Sequence, residues 1–457
     1  MFVKNVNTWR RLCLLVIGII TLHTMLPAAA QGDPLSIAPH LGYGVHYAPN
    51  TSVSSSYVSQ LGFNWVKVYQ LDDAYRFPNQ KVLYRWDMPY PNNWNDFKRA
   101  ISDKARAIAG SPVDAVEVHN EPNLSIEWGN RQPNAWQYTQ MLRVVYGIVK
   151  AIKPSLIVVS GGLAPTITTP DRMAVNDLEF AREMFENGAG KYFDVFGYHP
   201  YGFNAEPEAD PNGPQPLVFR RTERMRALME EYGIYKQMWL TEFGWMRDPN
   251  EDGVPCFAGG WDMGGFAWLV VSGRQQADYL VRAFDYAHQN WPWAGPMFVW
   301  NLNWQQAEWL DICNHMRWFG LLDRQGQPTR AFRALQSMQR YPGETPRLWR
   351  EDIPLRGDVP LFCTGRYKVG EFVIHNIGYP APIELNVQPV NNGTVFLEVE
   401  PARARPGETI RVYANPSTLT APGQYPIYIN VRATVNGRSL SQSIQGIVTA
   451  WNREGNC

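Results

Sequence analysis

Between residues 41 and 341, eight short β-rich runs follow one another with amphipathic helical patterns between most of them, and few folds accommodate such a series. The runs at 41–47, 64–70, 82–88, 113–120, 156–161, 193–199, 237–241 and 295–302 are predicted strands. Helical periodicity marks 94–109, 136–152, 218–232 and 274–289, and a last pattern at 329–340 closes the series. Eight strands, each followed by a helix or a helix-sized insert, predict an α/β fold of the (β/α)8 TIM-barrel type over residues 31–341. The second unit has room only for a short or degenerate helix, since about ten residues separate Gln70 from Lys81. A doubly wound open sheet shares the alternation but wants a Gly-rich phosphate turn after its first strand, and none is present.

The rhythm changes after Tyr341. Pro342, Gly343 and Pro346 open a predicted linker at 342–360. Period-two runs then follow at 371–375, 383–387, 395–399, 410–413, 425–433 and 439–448. Pro-Gly and Asn-Gly pairs separate them at 392–393, 406–407, 422–423 and 436–437. This pattern predicts a small all-β, immunoglobulin-like sandwich over 361–457.

The N-terminus reads as an export signal. Lys4, Arg10 and Arg11 precede an apolar stretch at 12–26 and a small-residue site at Ala28–Ala30. The stretch is shorter than the 18 or so residues that a spanning helix wants. Cleavage near Ala30 is therefore expected, giving a secreted or extracytoplasmic protein with no membrane attachment. Four cysteines then remain: Cys256, Cys313, Cys363 and Cys457. An even count in an oxidising compartment predicts two disulfides. Position favours Cys256–Cys313, in loops after neighbouring strands, and Cys363–Cys457, spanning the sandwich. No Cys-x-x-Cys spacing is present, and no metal or organic cofactor is expected.

Charge narrows the partners. Lys plus Arg and Asp plus Glu both number 42, so no basic field points to a nucleic acid. Aromatic residues reach 13%, with 18 Trp, and flat indole faces suit sugar rings.

In a barrel of this kind chemistry gathers where strands end. The fourth strand runs into His119-Asn120-Glu121-Pro122 and the seventh into Thr241-Glu242-Phe243-Gly244. Two carboxylates facing each other across a cleft are what glycoside cleavage needs. One protonates the leaving oxygen while the other attacks or activates water.

The pair resembles that of the clan A glycoside hydrolases, with Asn-Glu-Pro ending the fourth strand and a Glu ending the seventh. The run at 116–123 looks most like family 39-type members, then family 5-type. The resemblance implies retention of configuration, with Glu121 as acid/base and Glu242 as nucleophile. It also implies that Asn120 binds a sugar 2-hydroxyl, that His199 and Tyr201 orient the site, and that Trp300 is a platform beneath the sugar. The basic residue common at the second strand's end has no clear counterpart: Lys67 lies deeper and Arg85 belongs to the third strand. His46 either touches substrate or caps the barrel, and Trp128, Trp245, Trp261, Trp304 and Trp309 are candidate subsite walls. Glu117 shares the inward face of Glu121 one layer below, so a buried partner such as Lys67 or Arg85 is expected.

The sequence reading is thus a monomeric, secreted retaining β-glycosidase acting on a β-linked polysaccharide or oligosaccharide. A carbohydrate-binding barrel without turnover is the alternative from another class. A transglycosylase would share the same intermediate.

Overall fold

The computed structural model describes residues 41–457, except 235, 258–262, 292, 341–346, 351–354, 378–382, 392–394, 436–437 and 453–457. The expected export signal at 1–30 lies outside the described residues.

Eight parallel strands form one sheet: β1 (Tyr43–His46), β2 (Trp65–Val68), β3 (Lys81–Trp86), β4 (Ala115–Val118), β5 (Ile157–Ser160), β6 (Phe196–Tyr198), β7 (Met238–Phe243) and β8 (Ala294–Val299). Their spatial order is β5-β4-β3-β2-β1-β8-β7-β6. Parallel bridges Val159–Val195 and Leu163–Tyr198 join the two ends, so the sheet closes into a barrel.

The strands are wrapped by helices α1 (Ser56–Gln60), α2 (Trp94–Ala109), α3 (Ala135–Ile152), α4 (Asp177–Glu186), α5 (Arg221–Glu231), α6 (Gly273–Asn290) and α7 (Arg330–Ser337). Only a 3-10 turn, Leu71–Arg76, follows β2, in keeping with the short gap there. Local chemistry starts the helices. The side chains of Asn93, Asn134 and Asn176 accept backbone N–H bonds at the starts of α2, α3 and α4, and Ser272 with Gln275 forms a reciprocal capping box on α6. No helix among the described residues is long and apolar enough to cross a membrane.

Strand alternation layers the barrel interior. Trp65, Leu83, Ala115, Ile157, Val159, Val195, Trp239 and Phe298 pack inside as one buried cluster. Phe298 takes the space beside Gly44, where a Cβ would stand 2.4 Å from its ring. Two residues further along β1, β2, β4 and β7, the inward face turns polar, with His46, Lys67, Glu117 and Thr241 all fully buried. The lower interior is therefore a hydrophobic plug and the upper one a charged floor.

One strand bound differs from the sequence reading. β7 runs through Phe243, paired with Val299, so Glu242 sits within the strand rather than in the loop beyond it.

The C-terminal region is a two-sheet β structure. One sheet orders strands Arg347–Arg350, Tyr367–Ile377, Thr409–Asn415 and Phe396–Glu400. The other orders Leu355–Pro360, Arg438–Trp451, Gly423–Val435, Leu385–Pro389 and Arg403–Ala404. An apolar core that includes Phe372, Leu385, Ile410, Ile429 and Val448 gathers residues of both sheets. Two of these strands fall inside the expected linker. Residues 347–350 pair with 374–377, and 355–360 pair in parallel with 446–451. Leu355 and Val359 alternate into the core, a period-two signal that the flanking prolines and charges obscured.

Candidate active site

Glu121 follows β4 in a tight turn where His119 and Glu121 both take left-handed backbone, with φ of 74° and 36°. Such conformations in non-glycine residues cost about 1–3 kcal/mol and persist where the surroundings enforce them. Here the Glu121 N–H donates to the Gly162 carbonyl at 3.0 Å. The buried Asn123 amide donates to the carbonyls of Ala164 and Val175 and accepts from the Ala164 N–H. These bonds aim Glu121 across the barrel mouth toward Glu242. One carboxylate oxygen of Glu121, one of Glu242 and a ring nitrogen of His199 all lie within 4.8 Å of one another.

His199, directly after β6, stands between the carboxylates. Its Nδ1 is 3.0 Å from Glu121 Oε1 and 3.7 Å from Glu242 Oε2, and its Nε2 is 3.4 Å from Glu117 Oε1. The ring fits because residue 162 is glycine, where a Cβ would come within 2.2 Å of the imidazole. Lys67 bridges the floor. Its ammonium lies 2.5 Å from Glu117 Oε2 and 3.1 Å from Glu242 Oε1, and it donates to the Thr241 carbonyl at 3.3 Å. The Tyr201 hydroxyl donates to Glu242 Oε2 at 2.8 Å.

These contacts determine protonation. Burial disfavours a Glu242 carboxylate, but the charges of His199 and Lys67 outweigh it and hold its pKa well below the usual range. Glu117 behaves likewise: burial raises it, Lys67 and His199 lower it further, and it settles at about 2. Burial would lower the His199 pKa, yet the Glu242, Glu117 and Glu121 carboxylates push it up to about 9. Burial drives the Tyr201 phenol well above its ordinary value, so it stays a donor.

His46 is the opposite kind of histidine. Burial and the Lys67 charge lower its pKa to about 3. The neutral ring donates from Nε2 to the Thr241 carbonyl at 2.7 Å and accepts at Nδ1 from the Tyr69 hydroxyl at 2.6 Å. With both nitrogens engaged and no exposure, it acts on Tyr69 and the β7 backbone rather than on substrate.

Trp300 is half-buried at the end of β8, edge-on to Tyr201 with centroids 6.0 Å apart and 5.8 Å from the Trp304 ring. Trp304 is buried edge-on to Tyr69, which leaves it little face for a ligand. Trp245 is a correction to the substrate-binding set. It is 1% exposed, donates its indole N–H to the Ala205 carbonyl, and packs against Phe219, Phe243 and Tyr279. Its ring covers Gly202, where a Cβ would clash at 2.0 Å, so it is core. Trp128 is likewise buried, stacked on His119. Trp309 is half exposed, and Trp261 lies outside the described residues. Trp268, not singled out from the sequence, is 47% exposed and stacked on Phe203 at 5.3 Å.

The Asn120 Nδ2 donates to Glu127 Oε1 at 2.7 Å, which orients the amide, while Oδ1 is buried without a partner. Arg85 lies over the Tyr69 ring, bonds Asp87 at 2.9 Å and approaches Glu127 at 3.8 Å. Sequence reasoning missed Glu127 and Tyr69, and missed Lys67 as a partner of Glu242. Alternation along Trp65-Val66-Lys67-Val68-Tyr69 is a signal that could have put Lys67 and Tyr69 on the inward face, but it does not show which strand they meet across the barrel.

A disulfide joins Cys256 and Cys313, tying the loops after β7 and β8. It sits in an apolar cluster with Tyr201, Phe203 and Trp300. Cys363 is buried, and its expected partner Cys457 lies outside the described residues.

Atoms of Glu121, His199 and Glu242 lie as close together as those of a cation site, and the charges that meet them in this structure are the protein's own: the Lys67 ammonium lies 3.1 Å from Glu242 Oε1, and the raised pKa of His199 favours its protonated form. The arrangement is one ionised carboxylate with three donors around it, faced by a second, partly exposed carboxyl group.

No family model and no curated protein matches the chain. Similar solved structures include a Bacteroides uniformis β-glucuronidase, at 12% identity and a TM-score of 0.46 over 91% of this chain, which spans 46% of that chain's length. A glucosidase from Croceicoccus marinus is 14% identical with a TM-score of 0.45, covering 92% of this chain and 94% of that one. An endo-β-1,4-mannanase from Thermotoga petrophila is 10% identical with a TM-score of 0.41, covering 92% and 99%.

Proposed function

We propose that the chain is a retaining glycoside hydrolase that cleaves β-linked glycans by double displacement, with Glu242 as nucleophile and Glu121 as acid/base. The observation that carries this reading is the approach of Glu121 and Glu242, one carboxylate oxygen of each lying within 4.8 Å of the other across the barrel mouth. Retaining enzymes hold the two carboxyl groups about 5–5.5 Å apart, whereas inverting ones need about 6.5–9.5 Å to seat a water.

The asymmetry of the pair supports the roles. A nucleophile must be ionised, and Glu242 is held so by Lys67, His199 and the Tyr201 hydroxyl. A proton donor must exchange protons with the leaving group and then with water, and Glu121 is the more exposed of the two, at 19% of its side chain. Trp300 and Tyr201 supply aromatic surface beside the reacting centre. The N-terminal charge and apolar pattern and the Cys256–Cys313 disulfide support export to an oxidising compartment.

The test is product release from β-glucans, xylans, mannans and aryl β-glycosides, comparing wild type with Glu242→Ala. Turnover of one substrate class that is lost in the variant supports the reading and names the sugar. Binding without turnover by wild type across the panel favours the carbohydrate-binding barrel instead.

A further inference from the structure

We propose that Glu117 is a positioning residue whose buried carboxylate keeps the charged floor of the site electrically neutral through both halves of the double displacement. The inference rests on the glycosidase reading above and extends it to a group that never touches substrate.

Glu117 is fully buried on β4, one inward layer beneath Glu121. Three elements face it: Lys67 of β2 at 2.5 Å, His199 after β6 at 3.4 Å, and the backbone N–H of Gly162 after β5, which donates to Oε1 at 3.2 Å. His46 on β1, Tyr69 after β2 and Tyr138 of α3 also feel its charge. The two cations it touches are the two that hold Glu242, because Lys67 reaches Glu242 Oε1 and His199 lies near Oε2. His199 is faced in turn by Glu121, Glu242, Glu117 and, more remotely, Lys67.

The charge tally follows from the chemistry. In the first half, a Glu242 oxygen bonds to the anomeric carbon, the bond to the leaving oxygen breaks, and the Glu121 proton moves to that oxygen. The negative charge thereby passes from Glu242, now an uncharged ester, to Glu121. In the second half, a water oxygen bonds to the anomeric carbon, its proton moves to Glu121, and the ester bond breaks to restore the Glu242 carboxylate. At each stage one of the catalytic pair is charged and the other is not. One negative charge cannot balance both Lys67 and His199, and unbalanced charge is costly in a buried cluster. Glu117 supplies the second, and it does so in both stages because it takes no part in bond making.

Without that charge, His199 is the cation poised to yield. It titrates near neutrality in water, whereas here it touches three carboxylates, and Glu117 alone lies on its Nε2 side. A neutral His199 would no longer have an N–H on both nitrogens. Its hydrogen bond to Glu121 and its support of the Glu242 carboxylate would weaken together.

The experiment follows the His199 ring by NMR titration and records kcat and kcat/KM against pH on an aryl β-glycoside, for wild type, Glu117→Gln and Glu117→Asp. In Glu117→Gln, the His199 titration is expected to fall by about one unit or more. The alkaline limb of the rate profile should move down with it, and kcat should drop by about tenfold or more. Glu117→Asp keeps the charge and should retain the His199 titration while losing some rate to misplacement. It also serves as the folded comparison if the Gln variant fails to fold. A folded Glu117→Gln with His199 and the profile unmoved overturns the proposal, as does an Asp variant in which His199 falls below pH 7. Wild-type inactivity on every glycoside, with His199 still sensitive to Glu117, counts against the glycosidase reading itself.

Discussion

The Tyr201 hydroxyl donates to Glu242 Oε2 at 2.8 Å, while Lys67 holds the other oxygen of the same carboxylate at 3.1 Å. Glu242 is therefore clamped at both oxygens, which fixes the plane from which it meets an anomeric carbon. The two clamps differ in kind. Lys67 supplies charge from below, and Tyr201 supplies a neutral donor from the cleft wall.

Tyr201→Phe removes that donor while keeping the ring against Trp300 and Phe319. A hydrogen bond to a charged group is worth about 1.5–3 kcal/mol. The variant is expected to lose about 10- to 100-fold in kcat/KM with its melting temperature little changed. Steady-state kinetics alongside thermal unfolding checks this, and unchanged kinetics would remove Tyr201 from the site's working parts.

Lys67→Met strands Glu117 in the barrel interior. Breaking a buried ion pair by removing one partner costs about 3–5 kcal/mol, and urea unfolding should show a loss of that order. Adding Glu117→Gln to Lys67→Met should recover part of it, since the orphaned charge is then gone. A double variant less stable than the single one would contradict the pairing.

The titrations make stability depend on pH in a defined direction. His46 is held at about 3 when folded, below its ordinary 6.5, so the unfolded chain takes up the proton first. Stability should decline as pH falls from 6.5 toward 3. Glu117, lowered from 4.5 to about 2, adds a further loss below pH 4.5. His199 is raised to about 9, so its contribution is complete below pH 6.5 and disappears as pH rises through 9. Urea midpoints measured from pH 3 to 9.5 should peak between these limbs. His46→Gln should flatten the acid limb between pH 6.5 and 4.5.

Much of this was legible because a barrel makes position along a strand meaningful. Strand ends four and seven carried the carboxylates into view, and period-two alternation put Glu117 beneath Glu121. What alternation cannot show is partnership across the interior. Lys67 meets Glu242 only because the barrel closes, and closure is a property of all eight strands together. Trp245 failed for a related reason: a tryptophan two residues past a strand end faces either cleft or core, and the choice fell to Gly202, which leaves room for the indole. The strands at 347–350 and 355–360 were hidden by prolines and charges around short runs whose pairing partners lie up to about 90 residues away.

The Cys256–Cys313 disulfide closes a sequence separation of 57 residues. Loop-closure entropy for that length corresponds to about 4 kcal/mol as an upper figure. Replacing both cysteines by Ala should lower stability by about 2–4 kcal/mol. Because the bond shares its cluster with Tyr201 and Trp300, KM should rise as well. Stability lost without any kinetic change would confine the bond to a purely structural role.

The most direct test traps the covalent intermediate. A fluorine at C2 of an activated aryl β-glycoside slows the oxocarbenium-like transition states, and a good leaving group restores the first step, so a glycosyl-enzyme accumulates. Incubation with such reagents of gluco, xylo and manno configuration, followed by peptide mass mapping, should find one adduct on the peptide that carries Glu242 and none in Glu242→Ala. An adduct on another residue, or wild-type turnover that releases the inverted anomer, would contradict the account.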